Sequence, residues 1–169
     1  DTALRQCGAI RVESAEELFD LCRGFVGIPQ GIRGRRVAIV TNSGGPSILA
    51  ADRAEAVGLD VAEPGPAIRA KLASFLPPHA ALKNPIDLTV EGTERGYREA
   101  LTALLAQDEA KTEVEAEVKT DLNLSLSFDA VVAIDIAPPY LDSTPIARGI
   151  CDAATATGKP VIASFLPEV

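Results

Sequence analysis

A chain of 169 residues, 47% of them hydrophobic, carries enough apolar material for one substantial core. Its net charge of −8 and lack of a Lys/Arg cluster exclude a nucleic-acid backbone as partner, yet leave room for an anion held locally by backbone N–H groups. The longest apolar runs fall far short of the roughly 20 residues that cross a bilayer, and nothing reads as a secretory leader, so a cytoplasmic domain with no membrane partner is expected.

Residues 2–7 read as the end of a helix stopped by Gly8, and Ala9-Ile10-Arg11-Val12 as a short strand. Ser14-Ala15-Glu16-Glu17 is a capping box, followed at helical spacing by Leu18, Leu21, Cys22 and Phe25. The Gly- and Pro-broken stretch from Gly27 to Gly34 is a linker by composition, which divides the chain into a helix, strand and helix over 1–33 and a larger domain over 34–169. No Met is present, even at position 1, and the chain opens inside a helix-like segment; both predict a piece of a longer protein.

Val37-Ala38-Ile39-Val40 is an unbroken apolar run, as in a strand buried on both faces of a parallel sheet. Thr41-Asn42-Ser43-Gly44-Gly45 then supplies capping side chains and two permissive glycines, with Pro46 fit for the first position of a helix. Strand, tight turn and helix leave several N–H groups unpaired at the positive end of a helix dipole, where a phosphate can settle. Similar turns occur in every doubly wound domain, and most bind nothing.

The helix after Pro46 runs to Gly58, placed for a left-handed C-cap, and Leu59-Asp60-Val61-Ala62 reads as the next strand. Pro66 opens a helix bearing Ile68, Leu72, Phe75 and Leu76 and closed by Pro77-Pro78; residues 84–88 form a strand end or turn; Thr93 caps an amphipathic helix with Tyr97, Ala100, Leu101, Leu104 and Leu105 on one face. Between 108 and 127 charged and apolar residues alternate, consistent with a surface hairpin or a frayed helix. Residues 128–136 are the strongest central strand, 146–156 a helix and 161–165 a last strand. The alternation defines an α/β fold: a doubly wound, mostly parallel, flavodoxin-like sheet with helices on both faces.

Cys7, Cys22 and Cys151 are odd in number and have no CxxC spacing, so buried free thiols are expected. His79, the one histidine, follows Pro77-Pro78 as a solvated loop residue. With it alone, neither a metal constellation nor a Ser-His-Asp arrangement can be built. Asp87 and Asp135 lie at carboxyl ends of strands, where α/β sheets bind ligands. A flavin fits such a fold, but neither Tyr97 nor Tyr140 flanks the Gly-rich turn, and Trp is absent.

The segment Arg35 to Pro46, with Ala50-Ala51-Asp52 and Gly58-Leu59, resembles the C-terminal flavodoxin-like CoA-ligase domain of NDP-forming acyl-CoA synthetases, in the succinyl-CoA synthetase superfamily. Asn84-Pro85-Ile86-Asp87-Leu88 is similar to that family's Asn-Pro-hydrophobic-Asp motif, Gly158-Lys159-Pro160-Val161 with Ser164-Phe165 to its closing strand, and residues 8–12 and 16–20 to its connector from a preceding domain. The resemblance implies an ADP-forming acid-CoA ligase that forms an acyl phosphate, phosphorylates a histidine and passes the phosphoryl group to ADP, while CoA takes the acyl group. It implies that Asn42, Ser43, Gly44 and Gly45 form one of two helix N-termini around the phosphohistidine, with Asp87 near the histidine or acyl site. It also implies that the catalytic histidine, ATP/ADP, Mg²⁺ and CoA belong to other parts of the enzyme, namely its CoA-binding, His-loop and ATP-grasp domains, so the fragment is expected to be inactive alone and compatible with an oligomer. Two alternatives are a regulatory module of a multidomain protein acyltransferase and a free-standing flavodoxin-like binding protein.

Overall fold

The computed structural model describes residues 2–89, 92–106, 128–138 and 140–167, so the 108–127 alternation lies outside the described residues. The chain forms two compact units, residues 1–32 and 33–169.

In the first unit, α1 (Thr2–Gln6) ends at Gly8 with φ 79°, and α2 (Ala15–Gly27) follows. Ser14 Oγ accepts from Glu17 N–H at 3.1 Å, while Glu17 Oε2 accepts from Glu13 N–H at 2.7 Å, so the reciprocal half of the capping box reaches one residue further back than usual. The expected strand at 9–12 does not form. Ala9 N–H instead closes back onto Leu4 O at 2.9 Å as part of the stop of α1. No helix residue of this unit is buried, so Leu18, Phe19 and Phe25 lie exposed, and so do Cys7 and Cys22.

The second unit is a sheet of four parallel strands in the order β2-β1-β3-β4: β1 (Val37–Thr41), β2 (Ile86–Asp87), β3 (Ala130–Ala137) and β4 (Val161–Pro167). All of β1 is buried, as its continuous apolar sequence requires. Alternation sorts its side chains between two faces. Ala38 and Val40, with Val131 and Ala133 of β3, meet the large core supplied by α4 (Pro66–Ala73), α5 (Glu94–Leu105) and α6 (Thr144–Thr157), including Ile68, Leu72, Tyr97, Leu101, Leu104 and Ile150. Val37 and Ala130 face the other way, against Ala54 of α3 (Gly44–Ala56). Helices therefore cover both faces, and the doubly wound, flavodoxin-like reading of the sequence describes the fold.

Three details differ from the expectation. Pro46 is the third helical residue, because both glycines join the helix; the position costs nothing, since the first four N–H groups of a helix have no intrahelical partner. Residues 59–62 make a single bridge and no strand: Asp60 N–H donates to Arg35 O at 2.8 Å, Val37 N–H donates to Asp60 O at 2.9 Å, and the chain then leaves the edge. Cys151 is exposed, because α6 turns Gly149, Ile150 and Ala153 inward instead. The left-handed stop of α3 is as expected. Gly58 has φ 80°, its N–H reaches Glu55 O at 2.8 Å, and Leu59 N–H reaches Ala54 O at 2.9 Å.

Between the Asp60 bridge and β2, the open edge of β1 is closed by a side chain. Asn84 Oδ1 accepts from Ile39 N–H at 2.9 Å, and its Nδ2 donates to Val37 O at 2.8 Å and to Ala62 O at 2.9 Å. The amide thus pairs as a peptide group of a missing strand would. Asn84→Ala should strip partners from these three backbone groups and lower unfolding free energy by at least about 2 kcal/mol, since each orphaned buried group costs about 1 to 3 kcal/mol. Urea unfolding of wild type and variant measures this; a loss below about 0.5 kcal/mol, the level of an ordinary surface substitution, would show that water replaces the amide without cost.

Candidate functional site

The carboxyl ends of β1, β2 and β3 meet at one edge of the sheet. The register pairs Thr41 with Asp87 on one side and with Ile134 on the other, which brings the turn after β1, Asp87 and the end of β3 together. Ligands of open α/β sheets bind at this end.

The turn itself is tightly held. Thr41 Oγ1 accepts from Ser43 N–H at 3.0 Å and lies 3.1 Å from Ser43 O, to which it can donate. Asn42 continues the ladder by its side chain: Nδ2 donates to Ile136 O at 3.1 Å and to Asp135 Oδ1 at 2.9 Å, while Oδ1 accepts from Ile136 N–H at 2.9 Å. Ser43 is the N-cap of α3, with extended backbone and no side-chain capping bond, and Ser47 Oγ donates to Gly44 O at 2.6 Å. Gly44 and Gly45 are exposed, and their N–H groups, at the positive end of α3, have no partner among the described residues.

Two carboxylates border the turn in different states. Asp135, 1% exposed, accepts from Asn42 Nδ2 and from Ser143 Oγ at 3.2 Å; burial pushes its carboxyl above the usual carboxylate range, and the bonds from its neighbours pull it partly back. Tyr97 lies below it, fully buried, and donates to Ile134 O at 2.6 Å. Burial first, and then the Asp135 charge, push its hydroxyl well above the ordinary tyrosine range, so it remains a donor. Asp87 is half-buried. Its Oδ1 accepts from Thr89 N–H at 2.9 Å, and its Oδ2 lies 4.0 Å from where a Cβ on Gly44 would stand. Thr89 holds φ 51°, unusual for a β-branched residue, with its Oγ1 buried and unpartnered among the described residues.

Of the residues singled out in the sequence, Asn42, Ser43, Gly44, Gly45, Asp87 and Asp135 gather here. Among the described residues, the glycine N–H groups, the Ser43 hydroxyl and Asp87 Oδ2 are left uncommitted; the Asn42 amide is spent on β3. His79 is exposed in the turn after Pro77, and no contact brings it to this end of the sheet. Ser143, Thr89 and Gly92 escaped sequence reasoning. A Cβ on Gly92 would stand 2.6 Å from Asn42 Cβ, so the loop after β2 packs directly on that asparagine; a lone Gly before the helix cap Thr93 was the only signal. Among the described residues no group of three or more His, Cys, Asp or Glu could hold a metal ion, and no helix is long and apolar enough to cross a membrane.

A buried parallel sheet whose first strand ends in a Gly-rich helix N-terminus, with helices on both faces, is a flavodoxin-like α/β domain open at the carboxyl ends of its strands. The chain belongs to the Ligase-CoA domain family, which matches residues 37–167. It is 34% identical over 172 residues to the ADP-forming acetate-CoA ligase II subunit alpha of Pyrococcus furiosus, covering 98% of this chain and 33% of that one. It is 34% identical over 105 residues to the ADP-forming 4-hydroxybutyrate-CoA ligase of Nitrosopumilus maritimus, covering 62% of this chain and 15% of that protein. A crystal structure from Pyrococcus horikoshii OT3 superposes with a TM-score of 0.77 at 30% identity, over 98% of this chain and 34% of its own. The chain thus spans about a third or less of each of these relatives, the first two of which are ADP-forming CoA ligases by name.

The raised carboxyl of Asp135 has a measurable consequence. A folded state that holds a proton more tightly than the unfolded state loses stability as pH rises from the ordinary carboxylate range through the raised value. Asp135→Asn keeps an acceptor for Asn42 and removes that titration. Wild-type stability should therefore fall relative to the variant as pH rises above the ordinary carboxylate value of about 4. Urea unfolding across this range checks it, and parallel curves would place the charged carboxylate at no cost.

Proposed function

We propose that the chain is the ligase domain of a larger ADP-forming acid-CoA ligase, in which the N-terminus of α3 receives the phosphoryl group of a phosphohistidine carried by another domain. The observation that supports it is the pairing of the unpartnered N–H groups of Gly44 and Gly45 with the Asp87 carboxylate beside Gly44. Backbone N–H groups at a helix N-terminus favour an anion, whereas a carboxylate favours a donor. A phosphorylated imidazole offers both: an anionic phosphoryl group, and a second ring nitrogen that can carry a hydrogen. Asp87 would orient the ring, and the glycine N–H groups would take the phosphoryl oxygens. Relatives named as ADP-forming acetate-CoA and 4-hydroxybutyrate-CoA ligases agree with the reaction class. ATP/ADP, Mg²⁺, CoA and the histidine are assigned to the CoA-binding, His-loop and ATP-grasp domains of the whole enzyme, so the 169 residues alone should make no acyl-CoA.

In the whole enzyme, Gly44→Asp should abolish phosphoenzyme formation from labelled ATP without unfolding the domain, because a carboxylate then stands where the phosphoryl group goes. Ser43→Ala should have a modest effect, worth about 0.5 to 1.5 kcal/mol at most, since the Ser43 hydroxyl makes no capping bond. Phosphoenzyme yield and a melting curve are read together. Normal labelling in a folded Gly44→Asp enzyme would reduce the turn to a fold element.

A further inference from the structure

The two glycine N–H groups can act as one anion site only if the turn that carries them is rigid, and its rigidity comes from a side chain that touches no ligand. Asn42 is fixed on one side by three hydrogen bonds to β3, two to the backbone of Ile136 and one to Asp135 Oδ1. On the other side it is pressed by Gly92, where even a methyl group would stand 2.6 Å from its Cβ. Asp135 is in turn held by Ser143 at the N-cap of α6. Burying a carboxylate beside an anion site is adverse twice over, once for desolvation and once for repulsion, so stability and phosphate affinity alike would favour a neutral residue there.

We propose that Asp135 and Asn42 are positioning residues of the anion site: Asp135 holds the Asn42 amide, and Asn42, wedged between β3 and Gly92, aims the N–H groups of Gly44 and Gly45 at one spot. This rests on the reading of the α3 N-terminus given above and extends it to residues that never meet the phosphoryl group. The chain of contacts runs Ser143, Asp135, Asn42, turn, and each link is a side chain of small conformational freedom.

The test uses the ¹⁵N-labelled 169-residue chain at pH 7, titrated with inorganic phosphate and followed at the Gly44 and Gly45 amides. Wild type should show saturable shifts at both. Asp135→Ala and Asn42→Ala should weaken phosphate binding on the order of tenfold, as loss of an orienting neighbour does at other ion sites. Asp135→Asn removes the same charge as Asp135→Ala but keeps the acceptor, so it should bind phosphate at least as well as wild type. The contrast between those two isolates the hydrogen bond from the electrostatics. Gly92→Ala moves Asn42 without altering its bonding groups, and it too should weaken binding; with Asn42→Ala it decides the matter if Asp135→Ala does not fold. Wild-type affinity in folded Asn42→Ala and Gly92→Ala, or an Asp135→Asn as weak as Asp135→Ala, would overturn the positioning role and leave the anion site standing. No shift at Gly44 and Gly45 in wild type would overturn both.

Discussion

The second unit depends on how β1 satisfies its backbone. A strand buried on both faces cannot leave N–H and C=O groups to water, so each needs a partner from the protein. On one side β3 supplies a continuous five-residue register. On the other, the described backbone offers the Asp60 bridge, the two residues of β2 and Leu88 N–H, which donates to Thr41 O at 2.8 Å. Asn84 fills the gap between them, and Asn42 adds a rung beyond the last pair with β3. Both use the one side-chain group that carries a peptide's donor and acceptor on a short stem. The placement of the turn at 42–45, and of Asp87 beside it, follows from these two substitutes for main chain.

The same contacts sort the polar groups at the carboxyl end of the sheet. Asp135 and Asn42 resemble ligand residues in sequence, yet their hydrogen-bonding capacity is largely spent within the fold. Asp87 spends one oxygen on Thr89 and keeps the other beside Gly44. The strained Thr89 backbone at φ 51° belongs to this arrangement, because the tight turn that aims Asp87 is the one that forces the left-handed residue. Strain of about 1 to 3 kcal/mol is retained only where surrounding contacts determine it, and here they are the Asp87 bond and the Gly92 N–H that donates to Thr89 O at 3.3 Å.

Local pattern made much of this legible. The run at 37–40, the helical spacing after Thr93 and the Gly58 stop each depend on residues a few positions apart, and each stands in the structure. Sequence pattern failed where the deciding partner is distant. Residues 9–12 and 59–62 have strand-like composition, but no continuous neighbour pairs with them. The cysteines, without CxxC spacing, read as buried free thiols, but two lie in a unit that buries no helix residue, and Cys151 falls on the outer side of α6. Asn42 and Asn84 read as turn residues because a pairing with Ile136, or with Val37 and Ile39, spans 94, 47 or 45 positions and leaves no local trace.

An acidic chain with a site built from two backbone N–H groups is not a contradiction, but it limits what the site does alone. The net charge of −8 acts diffusely and is screened within about 8 Å at physiological ionic strength, whereas the N–H groups act at contact distance. In open water, such donors hold a phosphate weakly and exchange it quickly, although they still saturate. On the reading proposed here their full strength appears when another surface closes over the turn and excludes water, since the same dipoles are worth far more at low dielectric. On that reading the exposure of Gly44 and Gly45 suits a half-site that another surface completes, with the Asp87 carboxylate set beside it to meet a donor on the incoming group.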